Sequence, residues 1–378
     1  MNLRLPFFSN SPISYLPSRI RRFMKATGLS LILSMVCLVL AASPARAGLP
    51  PGNAVTDGAA LLRYSLPIDS PEIRKVQSEL EGLSEWLRSK RWGPIKRDLS
   101  RVERQLDRKR DAILAAVPAD RQAQAIALID NIAAEIEPAR AAADDKNKEG
   151  IWTERKLMLD QVGALEELMV DGYPFEVPAE YDNLPQLKGR ATVQFVTTQG
   201  DVTVVADGYS APVTAGNFVD LVNKKFYDGL PFIRAEDFYV LQTGDPEGDK
   251  AGYIDPETNE YRAIPLEILV DGDEAPTYGV TLEEIGRYMD SPVLPFNAFG
   301  SLALARPGND NNGGSSQFFF FLFEAGLTPA GRNLLDGRYA VFGYTIEGKE
   351  VLRSLSEGDK VISAKVIDGL DNLELPQA

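Results

Sequence analysis

The sequence predicts a multidomain α plus β protein in which an antiparallel helical bundle precedes a unit of antiparallel β-strands. Apolar residues recur every three or four positions through residues 70–170, as on the buried face of an α-helix. From Ala191 onwards they alternate with polar residues, which is the period of a half-buried strand. The segment between the two regions, 171–189, contains three prolines and little periodicity, so it is predicted to be a linker.

Residues 1–47 are predicted to be a secretory signal peptide. Basic residues precede an apolar stretch at 29–42 and a small-residue cleavage site at 45–47. The apolar stretch has 14 residues, fewer than the roughly 20 that cross a bilayer as a helix. We therefore expect an exported protein without a stable membrane anchor after cleavage. A retained anchor is the alternative, and the pair Arg21-Arg22 leaves both Sec and twin-arginine export open.

The composition excludes several classes of catalytic site. No histidine occurs in the 378 residues, which excludes Ser-His-Asp and Cys-His catalysis and the usual zinc sites. The single cysteine, Cys37, lies in the predicted signal peptide, so no disulfide is expected in the mature chain. We predict neither a cofactor nor a metal site.

The charge balance argues against a nucleic-acid partner. Removal of residues 1–47 takes away six basic residues and no acidic ones, which leaves 34 basic against 54 acidic residues and a net charge of −20. A surface with this charge repels phosphate backbones, and we expect no binding of nucleic acid.

The bundle domain is predicted to span residues 48–170 and to contain four amphipathic helices. The apolar stripes are formed by Ile73, Val76, Leu80, Leu83 and Leu87; by Ile95, Leu99, Val102, Leu106 and Ile113; by Ile126, Ile129, Ala133 and Ile136; and by Met158, Val162, Leu165 and Met169. Breaks are expected at Gly93-Pro94, Pro118 and Pro138, and such short connections favour an antiparallel bundle. A heptad spacing within the second stripe makes a coiled-coil dimer the alternative, so the oligomeric state stays open.

The second domain is predicted to span residues 190–378 and to open with a β-hairpin around Gly200. Thr214 is the predicted N-cap of a helix that follows. After a turn at Asp228-Gly229, a short apolar run at 230–233 and a strand at 238–242 are expected.

These residues resemble the cyclophilin family in three blocks that follow one another in the family's order. The first block consists of Pro-x-Thr-x-x-Asn-Phe from Pro212, Tyr-Asp-Gly from Tyr227, Phe-x-Arg ending at Arg234 and Gln-x-Gly-Asp from Gln242. The second runs from Gly300 to Phe323 and contains GGSSQFF from Gly313 to Phe319. The third is LDGRYAVFG from Leu335 to Gly343. The resemblance covers roughly residues 190–371. It implies an eight-stranded antiparallel β-barrel capped by helices and a peptidyl-prolyl cis-trans isomerase activity.

The arrangement of the whole chain adds to this resemblance. A helical bundle joined behind a signal peptide to such a barrel resembles the forty-kilodalton thylakoid-lumen cyclophilins of cyanobacteria and plants. The resemblance implies a location in the thylakoid lumen, with the periplasm as the other destination, and a role in photosystem II assembly. The implied partners are proline-containing segments of exported or membrane proteins.

Isomerisation of a prolyl bond requires neither a nucleophile nor a general base. It requires an apolar pocket for the proline ring and one donor that hydrogen-bonds the prolyl nitrogen in the transition state. The resemblance assigns Arg234 as this donor and Gln242 as the residue that positions it. The substrate-binding positions that it implies are Tyr239, Val240, Ala305, Arg306, Gln317, Phe319, Leu334, Leu335 and Tyr339.

Several positions depart from the family's pattern. Arg306-Pro307 replaces an Asn-Ala pair, Leu334 stands where cyclosporin-sensitive members carry tryptophan, and Tyr339 replaces a histidine. We therefore expect a weak isomerase. The alternative is a catalytically inactive, peptide-binding assembly chaperone that uses the same groove. The acidic stretch 245–290 is expected to be a solvated insertion, with a docking surface or a lid as alternatives.

Overall fold

The computed structural model describes residues 55–246, 251–256, 258–324 and 333–376. The predicted signal peptide lies outside these residues. Within them, no helix combines the length and the apolar character that crossing a bilayer requires. The helices are α1 (Gly58–Ser65), α2 (Pro71–Arg88), α3 (Trp92–Arg108), α4 (Arg110–Ala115), α5 (Gln122–Ala134), α6 (Ile136–Asp144), α7 (Lys148–Leu168), α8 (Pro212–Asn223) and α9 (Lys349–Ser354).

The helical N-terminal region is confirmed, although residues 55–170 form seven helices where the pattern predicts four. The second and third predicted helices are each divided in two, at Lys109 and at Glu135. Helix α1 is not predicted by the apolar period, because its eight residues make only about two turns. Pro138 does not end a helix. It lies in the first turn of α6, where its missing N–H is tolerated.

Helices α2 to α7 surround one apolar core. Every residue of the first, second and fourth predicted stripes is buried in it, including those of the heptad spacing, which are thus packed within a single chain. Two residues of the third predicted stripe are misplaced by one position. Ile126 and Ala133 are exposed, and Ala125 and Ile132 are buried in their place. Helix α5 is apolar on more than one side, so the period alone does not identify its buried face.

The β-region is a curled antiparallel sheet of eight strands, as predicted. The strands of the chain are β1 (Gln186–Leu187), β2 (Arg190–Thr197), β3 (Gly200–Asp207), β4 (Arg234–Glu236), β5 (Val240–Thr243), β6 (Glu267–Ile268), β7 (Thr277–Tyr278), β8 (Ser301–Leu304), β9 (Phe318–Phe321), β10 (Val341–Glu347), β11 (Val361–Asp368) and β12 (Leu373–Glu374). The sheet order is β11-β2-β3-β10-β8-β9-β5-β4. The backbone N–H groups of Gly229 and Phe232 donate to Val361 and Asp359 at 2.7 Å each, which joins the two ends of the sheet.

Helix α8 covers the aromatic core inside this sheet. Phe218 of the helix packs against Phe318 and Phe342, with ring centroids 5.2 and 5.1 Å apart. The predicted N-cap at Thr214 is wrong, because α8 begins at Pro212 and Thr214 already lies within it. A proline in the first helical position starts the helix without a local cap.

The acidic insertion is more ordered than the sequence suggests. Strands β6 and β7 form a small sheet, and Leu266, Ile268 and Leu282 are buried. Glu267 is fully buried, and its carboxylate accepts hydrogen bonds from the first N–H groups of α8, at Val213 (3.2 Å) and Thr214 (2.9 Å). Burial raises the pKa of Glu267, and the donors from α8 oppose this rise. Residues 264–268 of the insertion are therefore packed against the barrel, and the expectation of a solvated loop is wrong there, whereas most of 283–289 is exposed.

The predicted linker 171–189 also packs on the β-region. It contains a 3-10 turn at Ala179–Tyr181, and β1 pairs with β12 near the C-terminus. The hydroxyl of Tyr173 donates to the carbonyl of Gly208 at 2.6 Å.

A buried ion cluster joins the helices to the sheet. Arg190 of β2 contacts Asp207 of β3 (2.8 Å), Glu167 of α7 (2.8 Å) and, at 3.0 Å, the hydroxyl of Ser65 at the end of α1. Its guanidinium also donates to the carbonyl of Leu62 in α1. Asp207 is fully buried, so it depends on Arg190 for charge compensation.

A second buried acid in this region predicts a pH-dependent stability. Glu166 of α7 is 0% exposed. Arg74 lies 3.2 Å away, but no hydrogen bond from a described residue reaches either carboxylate oxygen. Burial raises the pKa of Glu166 to about 7, against the opposing charges of Arg74 and Arg63; Glu81 adds to the rise, and Arg190 opposes it. The folded protein thus holds a proton here that the unfolded chain, with a Glu pKa of about 4.3, releases.

We therefore expect wild type to gain stability relative to Glu166→Gln as the pH falls from about 8 to about 5, by up to about 3 kcal/mol. The gain is complete below the unfolded pKa and is lost as the pH rises through 7. Urea denaturation of both proteins at several pH values measures it, with Glu137→Gln, which alters an exposed carboxylate, as the control. Parallel pH profiles for wild type and Glu166→Gln contradict the prediction.

Candidate functional site

Residues from separate sequence blocks form one row across four neighbouring strands. Arg234 of β4 lies opposite Gln242 of β5, which lies opposite Phe319 of β9, and Phe319 lies opposite Ala303 of β8. Directly opposed residues of an antiparallel sheet project from the same face. The strand register thus brings the predicted donor, its predicted positioning residue and the predicted pocket residue to one face of the barrel.

Arg234 lies at the edge of this row and is held by an acid of its own strand. Its side chain is 47% exposed, and its guanidinium forms an ion pair with Glu236 at 2.6 Å. The same guanidinium lies 5.7 Å from the ring centroid of Tyr239. Glu236 is two residues further along a strand and therefore on the same face. The alternation of a strand is the signal that could have identified it from the sequence.

A relay of side-chain amides continues from the row into a cleft. The Gln242 amide donates to the Gln317 carbonyl oxygen at 2.7 Å, and the Gln317 amide donates to Asp245 at 2.9 Å. Both glutamines line a cleft of about 190 Å³ together with Ala305 and Arg306. Four of the predicted site residues therefore meet in one concave surface, with polar groups able to bind an extended backbone.

Arg306 is fastened to the loop on the far side of this cleft. Its guanidinium donates to the carbonyl oxygen of Arg338 at 2.8 Å and to that of Pro307 at 3.1 Å. It also lies 5.1 Å from the ring centroid of Tyr339. The ring of Tyr339 in turn meets Phe319 edge-on, with centroids 5.6 Å apart. These contacts connect the cationic wall of the cleft to the predicted proline pocket.

The ring of Phe319 is largely covered in this structure. It is 5% exposed and stacks on Phe296, with centroids 6.1 Å apart and planes within 5°. The backbone N–H of Phe296 donates to Asp336, which holds this ring against the loop before β10. Phe296 lies just before the second recognised block and belongs to no motif, so nothing in the sequence marks it as a site residue.

The remaining predicted site residues differ in how deeply they are buried. Val240 is buried, Leu335 is half-buried against the same apolar cluster as Phe319, and Tyr239 is exposed. Leu334 is 88% exposed, so its side chain is directed away from that cluster. Among the described residues, no group of three or more Cys, Asp or Glu side chains is arranged to hold a metal ion.

Helix α1 belongs to the same apolar cluster. Leu61 and Leu62 are buried together with Phe296, Phe319 and other residues of this face. The helix approaches β10 so closely that a Cβ on Gly58 would lie 2.8 Å from the Cβ of Tyr344. The N-terminal helical region therefore contributes directly to the packing beneath the candidate site.

Two family models match the chain. Residues 57–170 match a model described as the PsbQ-like domain of CYP38-like peptidyl-prolyl cis-trans isomerases. Residues 192–370 match the cyclophilin-type peptidyl-prolyl cis-trans isomerase model. The resemblance to the cyclophilins is thus confirmed, and the helical region is matched as well.

Curated proteins from photosynthetic organisms are similar over nearly the whole chain. A thylakoid lumen peptidyl-prolyl cis-trans isomerase of Synechocystis is 55% identical over 93% of this chain and 96% of its own length. The chloroplastic isomerase CYP38 of Arabidopsis thaliana is 42% identical over 86% of this chain and 77% of its own length. The chloroplastic isomerase CYP37 of the same plant is 31% identical over 88% and 74%.

Proposed function

Because the chain belongs to the family of cyclophilin-type peptidyl-prolyl cis-trans isomerases, we propose that it isomerises prolyl bonds slowly in proteins of the thylakoid lumen. The observation that carries this proposal is the row of Arg234, Gln242 and Phe319 on one face of the barrel. The row supplies a fixed cation, a polar neighbour and an apolar ring across adjacent strands.

The proposed mechanism uses the arginine as an electrostatic catalyst. The prolyl C–N bond has partial double-bond character, which produces a barrier of about 20 kcal/mol. As the bond twists, the prolyl nitrogen gains a lone pair that a donor can stabilise. Arg234 is permanently charged and presents a rigid fork of N–H groups to this nitrogen. Gln317 binds the substrate backbone and is held by the hydrogen bond from Gln242, which lies beside Arg234 in the row, and Phe319 contacts the proline ring.

Two features of the site support a low rate: the ion pair of Arg234 and the cover over Phe319. The ion pair with Glu236 engages the guanidinium of Arg234, and Phe296 and Tyr339 cover most of the Phe319 ring. A substrate must compete with the carboxylate and displace part of this cover before the transition state is stabilised. Both steps use binding energy that would otherwise lower the barrier.

We expect Glu236→Gln to raise kcat/KM for a proline-containing peptide by roughly 1.5- to fivefold. An exposed ion pair contributes about 0.2–1 kcal/mol, and its loss frees the guanidinium for substrate. A protease-coupled isomerisation assay measures the rate, and Glu137→Gln, which breaks an exposed ion pair in the bundle, is the matched control. A rate for Glu236→Gln equal to or below that of wild type contradicts the proposed competition.

A second candidate function is peptide binding without turnover. Arg306 and Pro307 line the cleft, and a proline there has no N–H to offer a substrate backbone. The barrel then acts as an assembly chaperone that holds an extended proline-containing segment. Peptide affinity measured by fluorescence anisotropy, alongside the isomerisation rate, separates the two functions, because only the isomerase requires Arg234 for turnover.

The names of the relatives support a lumenal location, and the resemblance to thylakoid-lumen cyclophilins suggests the clients. The Synechocystis relative is named for the thylakoid lumen, and the plant relatives are chloroplastic. We propose that the clients are proteins of photosystem II during assembly. Native gel electrophoresis of thylakoid membranes with and without this protein tests the proposal, which predicts fewer assembled photosystem II complexes in its absence.

A further inference from the structure

Helix α3 carries a regular row of arginines on its outer face. Arg97, Arg101, Arg104 and Arg108 follow one another at steps of four, three and four residues. They lie opposite the buried stripe of the same helix. At 1.5 Å per residue the row is roughly 16 Å long. We call these four residues the arginine row.

The row stands out against the charge of the rest of the chain. Residues 88–110 contain ten basic and three acidic residues. Without residues 1–47 the chain has a net charge of −20. Five of these basic residues and all three acids lie in α3 itself, and the other five basic residues flank its two ends. Positive charge is thus concentrated on and around α3 in an acidic protein, and like charges spaced four residues apart on the helix repel one another.

Within the residues that the structure describes, only two of the four arginines in the row form ion pairs with neighbouring residues. Arg101 forms ion pairs with Asp98 and, at 3.3 Å, with Glu79 of α2, and Arg97 lies 3.4 Å from Asp98. Arg104 and Arg108 are exposed and form no ion pair with any residue in the described part of the chain. Their guanidinium groups present ten N–H donors to solvent between them. Packing of the bundle does not account for this arrangement.

Acidic residues on both sides of the arginine row limit how wide a partner can be. On the α2 side it is bordered by Glu72 and Glu79, and on the α6 side by the ion pairs of Arg140 with Glu103 and Glu137. A flat anionic bilayer would bring its charges onto these acids as well. A narrow partner lying along α3 meets the arginines and avoids the borders.

We propose that the arginine row binds an acidic helical segment of another protein. Carboxylates spaced at steps of four, three and four residues on such a helix match the row, and a guanidinium fork pairs with a carboxylate through two parallel hydrogen bonds. The site lies on α3, and the proposed isomerase face lies on β4, β5, β8 and β9. The interaction is therefore independent of prolyl isomerisation, and it gives the helical domain a partner of its own.

The test uses the full chain and a fluorescent helical peptide of about 15 residues with glutamates at these steps. A second peptide carries glutamine at the same positions. We expect the glutamate peptide to bind more tightly, and Arg104→Gln/Arg108→Gln to weaken it roughly tenfold, as for two exposed charge pairs. Raising the salt from about 50 to about 200 mM should weaken binding to wild type.

The control is Lys360→Gln/Lys365→Gln, which removes the same charge from two exposed lysines of the barrel domain. It should bind the glutamate peptide like wild type, and equal unfolding midpoints for all three proteins exclude a folding defect. Equal affinities for the two peptides, or an equal loss in both double variants, overturn the proposal. The proposal is also overturned if wild type binds phosphatidylglycerol vesicles but not the glutamate peptide, and Arg104→Gln/Arg108→Gln abolishes the vesicle binding.

Discussion

Arg234→Ala is expected to lower kcat/KM for prolyl isomerisation by about 10²–10³-fold, the usual effect of removing one donor to a transition state. The guanidinium stands beside Gln242 and in the same row as Phe319, and alanine leaves the prolyl nitrogen without a donor from this position. Because the side chain is half-exposed and held by Glu236 alone among carboxylates of the described residues, the fold should tolerate its loss.

The matched control for this variant is Arg353→Ala, which removes an exposed arginine paired with Glu324 at 3.1 Å. It should isomerise at the wild-type rate. If wild type and Arg234→Ala both run at the uncatalysed rate while binding peptide equally, the chaperone function stands and the isomerase function does not. If both run equally fast, another residue donates the hydrogen bond.

Arg190→Met is expected to destabilise the protein by about 3–5 kcal/mol, the cost of leaving one partner of a buried ion pair alone. Its loss strands the fully buried carboxylate of Asp207. It also removes the hydrogen bonds that connect β2 to Leu62 and Ser65 of α1. Methionine keeps much of the side-chain volume, so the effect reports charge and hydrogen bonding rather than a cavity.

Chemical denaturation measures this loss as a shift of the unfolding midpoint. Arg110→Met is the control, since it breaks an exposed pair with Asp130 and should cost at most about 1 kcal/mol. Equal midpoints for the two variants show that the junction between helices and sheet does not depend on Arg190. Because α1 also packs beneath the candidate site, we further expect Arg190→Met to alter isomerisation more than Arg110→Met does.

Local patterns in the sequence determined the helical region well. Of the four apolar stripes, three are buried at every position, because a helix of 3.6 residues per turn imprints its buried face directly on the sequence. The pattern failed for α5, where Ile126 is exposed and Ala125 is buried. That helix presents apolar residues on several sides, and its neighbours decide which side is covered.

For the candidate site, the motifs predicted the residues but not how exposed they are or which neighbours contact them. Arg234 and Gln242 follow from the first cyclophilin block and Phe319 from the second, and their assignment as site residues stays a prediction. Whether they share a face depends on the pairing of β4, β5 and β9, which joins segments about 80 residues apart. The cover by Phe296 had no local signal at all.

By itself the sequence determined that a helical domain precedes a cyclophilin barrel, and it predicted an arginine as the catalytic donor. These properties follow from apolar periodicity and from motifs that each span only a short segment of the chain. Only the tertiary structure decided that Phe296 covers Phe319 and that Glu267 caps a distant helix. Such contacts arise when remote segments are packed together, because burial and ion pairing depend on distances in space rather than on distances along the chain.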